Sequence, residues 1–437
     1  MNRFLGIIPA PDLEVPLWTV GPFIALLLSI AIVPLVFPHW WHKNRNKAIL
    51  TVAFGTPSLV IALIYEPHAV GHTALEYLAF VCLLGSLFTI SGGVRVAGSL
   101  AGTPLANTAV LGLGAILANL VGTTGAAMLL IRPYLRANRR RKSRVHLVVF
   151  FIFIVANCGG CLTPLGDPPL FLGFLKGVPF QWTLGLWKPW LAMVGALLVL
   201  FNLYDQHRFH REDLESTEDL DEVVERHGPI RLEGTYNLVL LLGVIGIVLA
   251  SGFWIHPRFG ETTALVSQSM VMAALAGLSL KVTPRKLREE NEFSWHPFVE
   301  VMVLFAGIFA AMIPALAVLR TRGASLGVSS PWQYFWATGS LSSFLDNAPT
   351  YLAFLSMAQY LPDEVVGTTH ATLSAIACGS VFFGAMTYIG NGPNFMVKAI
   401  AEHGGVRMPS FFGYMAWSLA ILGPLLVAVT LLFFLKG

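Results

Sequence analysis

Apolar residues in this chain come in long unbroken runs, and polar residues are confined to short stretches between them. The runs recur from Leu17 to Phe37, Ala48 to Tyr65, Trp190 to Tyr204, Tyr236 to Phe253 and Phe411 to Leu435. Most approach the roughly 20 residues that a helix needs to cross a hydrocarbon core. The pattern predicts an all-α polytopic membrane protein. Composition agrees: 55% of the 437 residues are hydrophobic and 12% are charged, where a soluble domain carries roughly 25% charged residues. The first run follows Met1 to Pro16, which holds one arginine, two acids and no small-residue cleavage site. It reads as a retained span and not as a signal peptide.

Displaced by 224 residues without gaps, the chain lies on itself. Thr163-Pro-Leu-Gly-Asp-Pro-Pro-Leu-Phe171 then meets Thr387-Tyr-Ile-Gly-Asn-Gly-Pro-Asn-Phe395, with four of nine positions identical. The same shift places His72 on His296, Glu76 on Glu300, His146 on His370 and Gly160 on Gly384. One constant shift over such a length marks an internal duplication, an arrangement that transporters use to build a ligand site at the repeat interface. The expected division is a first transmembrane repeat over 1–204, an acidic cytoplasmic linker over 205–234, and a second, inverted repeat over 235–437.

Each half reads as three ordinary spans, a pair of shorter helices, a broken span and a closing span. The short pairs run from Pro104 to Leu135, turning at Val121 to Gly125, and from Pro331 to Leu361, turning at Asp346 to Pro349. Arms of about 15 residues cross poorly at 1.5 Å rise per residue, so each pair is expected to be a re-entrant hairpin, although two full spans could replace it. Five crossings per half invert the second copy. Cytoplasmic segments carry the lysine and arginine excess, and with both termini outside, 21 of the 28 basic residues fall on the cytoplasmic side of an inner membrane. The first hairpin then enters from the cytoplasm and the second from outside. Ten acids and four arginines between Asp205 and Glu233 read as a solvated connector.

Ionisable residues at membrane depth are costly and mark function by default. Four of the 24 acids fall there: Glu76, Asp167, Glu300 and Asp346. Three prolines and a glycine forbid continuous helix through Thr163 to Pro169. Asp167 then occupies the N-cap of the outgoing half-helix with Pro168 at N1, and Asn391 takes the same place in the second half. Thr163, Gly166, Thr387 and Gly390 frame the two breaks. At the second hairpin tip Asp346, Asn347 and Thr350 supply a carboxylate, an amide and a hydroxyl, the hard oxygen donors that Na⁺ prefers. The first tip offers Thr123 and Thr124 without charge. Asp346, Asn347 and Asp167 are therefore candidate Na⁺ ligands, and a carboxylate that holds either a proton or a cation couples the two fluxes. Asp346→Asn should abolish coupling, and Asp167→Asn should be milder, because Asn391 already caps at the equivalent position. Glu76 and Glu300 are either coupling groups or structural ones, with Arg95 and Arg320 as candidate partners.

Cys82, Cys158, Cys161 and Cys378 lie in apolar stretches and read as small core thiols; Cys158-x-x-Cys161 lacks the second ligand pair of a zinc site. No zinc-protease, nucleophile-elbow, serine/lysine or P-loop motif occurs, so neither an enzyme nor a bound cofactor is expected, beyond transported Na⁺ or H⁺.

Asn157-Cys-Gly-Gly-Cys-Leu-Thr-Pro-Leu-Gly-Asp167 and Ser343-Phe-Leu-Asp-Asn-Ala-Pro-Thr350 resemble the ion transporter superfamily, which holds NhaD-type sodium/proton antiporters, arsenite exporters and citrate and dicarboxylate transporters. The resemblance spans both halves and is strongest to the NhaD-type branch, which implies acidic residues at Asp167 and Asp346. The dicarboxylate branch carries Ser-Asn-Thr at both tips; here they read Gly-Thr-Thr and Asp-Asn-Ala. The double proline after Asp167 and Gly390-Asn-Gly-Pro-Asn394 are similar to proteins labelled citrate transporters. The resemblance implies a homodimer in the lipid bilayer that moves a small inorganic ion or a carboxylate and binds no nucleic acid. The expected function is Na⁺ or Li⁺ exchange against H⁺, the alternative being a carboxylate or oxyanion transporter coupled to a cation.

Overall fold

The computed structural model describes residues 15–41, 43–97, 102–215, 231–291, 293–322, 327–358 and 369–435. It is an all-α polytopic membrane protein. Ten of its helices, among the described residues, are long and apolar enough to cross a membrane. Helices α1 (Gly21–Val36), α2 (Asn44–Tyr65) and α3 (Pro67–Ser91) open the chain.

The next element, α4 (Pro104–Ala137), has 34 residues and would be about 50 Å long if straight. It is not straight. Gly122 leaves the helical region at φ 79°, ψ 155°, a left-handed excursion that suits a residue without Cβ. Asn107 near one end and Asn138 just past the other exchange side-chain hydrogen bonds of 2.9 and 2.8 Å. The element is therefore a hairpin folded at Gly122. A second hairpin follows as α11 (Pro331–Ser342) and α12 (Asn347–Ala358), each of 12 residues. At about 18 Å, neither arm spans a core of about 30 Å. The rings of Tyr334 and Phe354, 6.5 Å apart, show the arms lying side by side. Residues 359–368, where the expected second arm ends, lie outside the described residues.

The two hairpins enter from opposite ends of α7 (Trp187–Glu215). Asn107, at the base of the first, donates to Asp205 on α7 at 2.9 Å. Pro331, at the base of the second, shares a crevice with Gly185, Lys188 and Pro189 at the start of α7. Lys188 and Asp205 are separated by about 25 Å of helix.

Between the hairpins run two interrupted spans: α5 (Val145–Ile154) leading to α6 (Pro168–Leu175), and α13 (His370–Phe383) leading to α14 (Gly392–His403). Their breaks are pinned alike. Thr163 Oγ1 donates to the Asn119 carbonyl and Thr387 Oγ1 to the Ser343 carbonyl, both at 2.5 Å, and these partners are again 224 residues apart. Gly160 passes Gly166 with no room for a Cβ on either, and a Cβ on Gly390 would lie 2.7 Å from the Gly384 carbonyl.

Packing groups the helices differently from their order in sequence. The early spans of both halves, α1 to α3 with α8 (Tyr236–Ala250), α9 (Glu261–Val282) and α10 (His296–Arg322), pack on one another. The hairpins, the interrupted spans, α7 and α15 (Phe411–Val429) form the remainder. A short antiparallel pair, β1 (Arg95–Ala97) with β2 (Arg231–Glu233), ties the segment between α3 and α4 to the segment before α8.

Helix α7 continues past residue 205, where the linker was expected to begin, as far as Glu215. The reason is neutralisation. Asp205, fully buried, accepts from Arg141 at 2.7 Å, from Asn107 at 2.9 Å and lies 2.9 Å from His146 Nε2. Arg141 also pairs with Glu212 at 2.8 Å. Residues 216–230 of the expected linker lie outside the described residues.

Two stability predictions follow from these contacts. Gly122→Ala forces a side chain into the left-handed region and should cost about 1–2 kcal/mol. Arg141→Met strands the buried Asp205 charge and should cost about 3–5 kcal/mol. Thermal unfolding in detergent measures both, and an unchanged midpoint in Arg141→Met would mean that the pair does not hold the hairpin base.

Candidate functional site

The breaks and hairpin tips converge on one carboxylate. Asp167 stands at the N-cap of α6 with extended backbone and Pro168 at N1, as the spacing predicts. Its side chain, however, makes no cap bond. It turns inward. Asp167 Oδ1 accepts from Thr123 Oγ1 at 2.9 Å and from Asn391 Nδ2 at 3.3 Å, and Oδ2 accepts a short hydrogen bond from Asn347 Nδ2. Asn391 repeats the geometry at the N-cap of α14, again without a cap bond, and donates to Asn157 Oδ1 at 3.1 Å and to the Ala156 carbonyl at 3.2 Å. The capping roles expected for Asp167 and Asn391 are thus corrected: the preceding backbone is tied instead by Thr123 N–H to the Gly166 carbonyl at 2.8 Å. Both side chains are freed to face the centre.

Asp346 ends the turn of the second hairpin. One of its oxygens accepts from Ala348 N–H at 3.1 Å, and Thr350 Oγ1 donates to its carbonyl at 3.0 Å. Asn347, fully buried, spends its amide protons on Asp167 and leaves Oδ1 without a hydrogen-bond partner. A buried amide oxygen without a donor is an acceptor waiting for one.

A cavity of about 60 Å³ lies here, lined by Thr123, Thr124, Gly166, Asp167, Asp346 and Asn391. Its other wall is apolar, with Phe80, Leu87, Phe298 and Phe305 from α3 and α10. Among the described residues, no lysine, arginine or histidine lines it. Thr163, Thr387, Thr350, Gly390 and Asn347 are not among its lining; the first four hold the backbone that frames it, and Asn347 reaches it only through its hydrogen bond to Asp167.

Beside it opens a larger chamber of about 510 Å³, which shares Phe88 and Met396 with the small cavity. It is lined by Lys47, Arg132, His296, Glu300, Lys398 and Glu402. Glu300 belongs to this chamber and pairs with buried Lys47 at 2.8 Å. Glu76 lies on α3 beside His72, where His72 Nε2 approaches it at 3.2 Å and Lys176 Nζ at 2.7 Å. The arginine partners expected for these acids are replaced by lysines. Arg95 instead pairs with Glu233 and Glu290, at 3.0 and 2.6 Å, and the Arg320 side chain lies outside the described residues.

Sequence reasoning missed Asn119, Asn157 and Asn394. Asn157 Nδ2 donates to Asn394 Oδ1 at 2.6 Å, and Asn394 donates to the Gly384 and Thr387 carbonyls at 2.8 and 2.9 Å. Asn119 donates to the Gly159 carbonyl at 2.7 Å and accepts from Leu162 N–H at 2.7 Å. The repeat gives no signal for Asn157 and Asn394, whose shifted counterparts are Val381 and Leu170.

Comparison with known proteins places this arrangement. An uncharacterized transporter of Mycobacterium tuberculosis, and another of Mycobacterium bovis, are each 24% identical over 350 residues, covering 76% of either chain. A Na⁺/H⁺ antiporter, NhaD of Vibrio cholerae, is 23% identical over 332 residues, covering 70% of this chain and 65% of its own. The family described as "Putative citrate transport" matches residues 12–434, which is nearly the whole chain, and the protein belongs to that family of transporters.

Proposed function

We propose that the protein exchanges a small monovalent cation, Na⁺ or Li⁺, for protons at the cavity between Asp167 and Asp346, and that its two halves are inverted copies folded around that site. The observation that carries this reading is the lining itself. Two carboxylates, Asp167 and Asp346, line about 60 Å³ together with Thr123, Thr124 and Asn391, and among the described residues no basic side chain joins them. Such a set favours a cation over an anion, since hard oxygens replace the water shell of Na⁺ and a carboxylate substrate would meet only like charge. The volume fits a partly dehydrated ion or one water, whose share of liquid volume is about 30 Å³. The resemblance to a Na⁺/H⁺ antiporter supports the same choice. A citrate-like carboxylate is the second reading; it is favoured by the family description and by Lys47, Arg132 and Lys398 around the larger chamber.

Purified protein in liposomes separates the two. With an imposed pH gradient, Na⁺ or Li⁺ pulses should collapse the gradient and K⁺ should not. Citrate uptake without cation-driven proton movement would overturn the cation reading.

The geometry also sets the order of substitutions, reversing the expectation that Asp167→Asn is the milder change. An asparagine at 167 offers one acceptor oxygen where three side-chain donors now converge, and turns its own amide protons toward one of them. Exchange should be abolished and stability should fall by about 1–3 kcal/mol for each stranded donor. Asp346→Asn removes one cavity carboxylate with fewer bonds at stake, so coupling should be lost while the unfolding midpoint holds. Exchange assays at matched reconstitution, with thermal unfolding alongside, test the pair. Wild-type exchange in Asp167→Asn would remove that residue from the site.

A further inference from the structure

Glu76 and Glu300 occupy equivalent positions on α3 and α10, and each lies beside an interrupted span that carries a lysine. The two ends of the molecule differ in what those lysines do. Lys176, at the end of α6, crosses to α3 and pairs with buried Glu76 at 2.7 Å. Lys398, on α14, does not cross. It pairs within its own helix with Glu402 at 3.1 Å and rests over the rings of Tyr388 and Phe395 at 5.3 and 5.8 Å. Glu300 is held instead by Lys47 of α2. Between Lys398 and Glu300 lies the 510 Å³ chamber, and both line it.

We propose that these lysine–glutamate pairs are alternating latches: Lys176–Glu76 closes one end of the molecule while the other is open, and Lys398–Glu300 forms when the chamber shuts. The distances permit the swap. Helices α14 and α10 already approach near Gly392, where a Cβ would lie 3.8 Å from Val301, the residue after Glu300. Lys398 sits about 9 Å further along α14, so a modest tilt of α14 toward α10 brings its ammonium within reach. Glu300 is 22% exposed, so it can accept a second cation in addition to Lys47. A latch between the two groups of helices contributes through the difference in its strength between states, which is what shifts a two-state population. Lys176 makes its cross-group pair in one state and Lys398 makes its own in the other, so the two oppose each other. This inference rests on the chain being a transporter that exposes its site alternately, and not on which ion or carboxylate it carries.

The test reads chamber accessibility in the full-length chain, without transport. A Cys82→Ser, Ala399→Cys background places a thiol on the chamber wall. A membrane-impermeant maleimide is applied to vesicles of whichever orientation labels the parent. Lys176→Met releases the closed end and should slow labelling by roughly threefold or more, the population change expected of a partly buried pair. Lys398→Met removes the latch that shuts the chamber and should speed labelling or leave it at its maximum. The charge swap Glu76→Lys with Lys176→Glu should return the rate to that of the parent. Slowing by both lysine substitutions, no slowing by Lys176→Met, or no recovery in the swap would overturn the proposal. Because the readout involves no cargo, it stands or falls separately from cation exchange.

Discussion

A helix that is interrupted inside a membrane frees carbonyls and amides that no water or lipid will satisfy, and the centre of this protein is organised around that debt. Each interruption is closed by a hairpin tip: Thr123 N–H takes the Gly166 carbonyl, Thr163 and Thr387 reach back to Asn119 and Ser343, and Asn394 collects two carbonyls of its own break. The hairpin tips are the partners of the breaks. Once the backbone is satisfied in this way, the N-cap side chains have no backbone to serve. Asp167 and Asn391 are consequently available to each other and to whatever enters the cavity.

Much of this was legible in the sequence because the signals are local. Long apolar runs, prolines at the breaks and Gly122 at a tip each mark a feature that the chain makes with its near neighbours. Asp167 and the three side chains that donate to it were all in the candidate set for the same reason, since each sits at a break or a tip. What was not legible depends on contacts across the fold. Asp205 reads as the start of a polar connector until Arg141, His146 and Asn107 arrive from elsewhere to neutralise it. Asn157 and Asn394 have no asparagine at the repeat position and meet across the fold. The direction of the Asp167 side chain was likewise undetermined, because a carboxylate at an N-cap either caps or turns away, and the choice is made by donors distant in sequence.

The cavity is walled on one side by fixed oxygens and on the other by phenylalanines from α3 and α10. The two walls belong to the two groups into which the helices pack. A cation bound as proposed would rest against a dry surface on the α3 and α10 side, where one group of helices could slide past the other. An apolar wall is well suited to sliding, because it exchanges contacts without breaking hydrogen bonds.

The acids are also placed unevenly between the halves: the first half keeps its carboxylate at the break, as Asp167, and the second keeps its own at the hairpin tip, as Asp346, where the equivalents are Asn391 and Gly122. A fully symmetric site would gather four negative charges into one small volume. On the proposed exchange, two carboxylates would neutralise at most two monovalent cations or protons on each leg, and the net charge carried across per cycle would be a whole number no greater than two. Whether membrane voltage drove such an exchange or left it untouched would then depend on whether the two legs load those carboxylates equally.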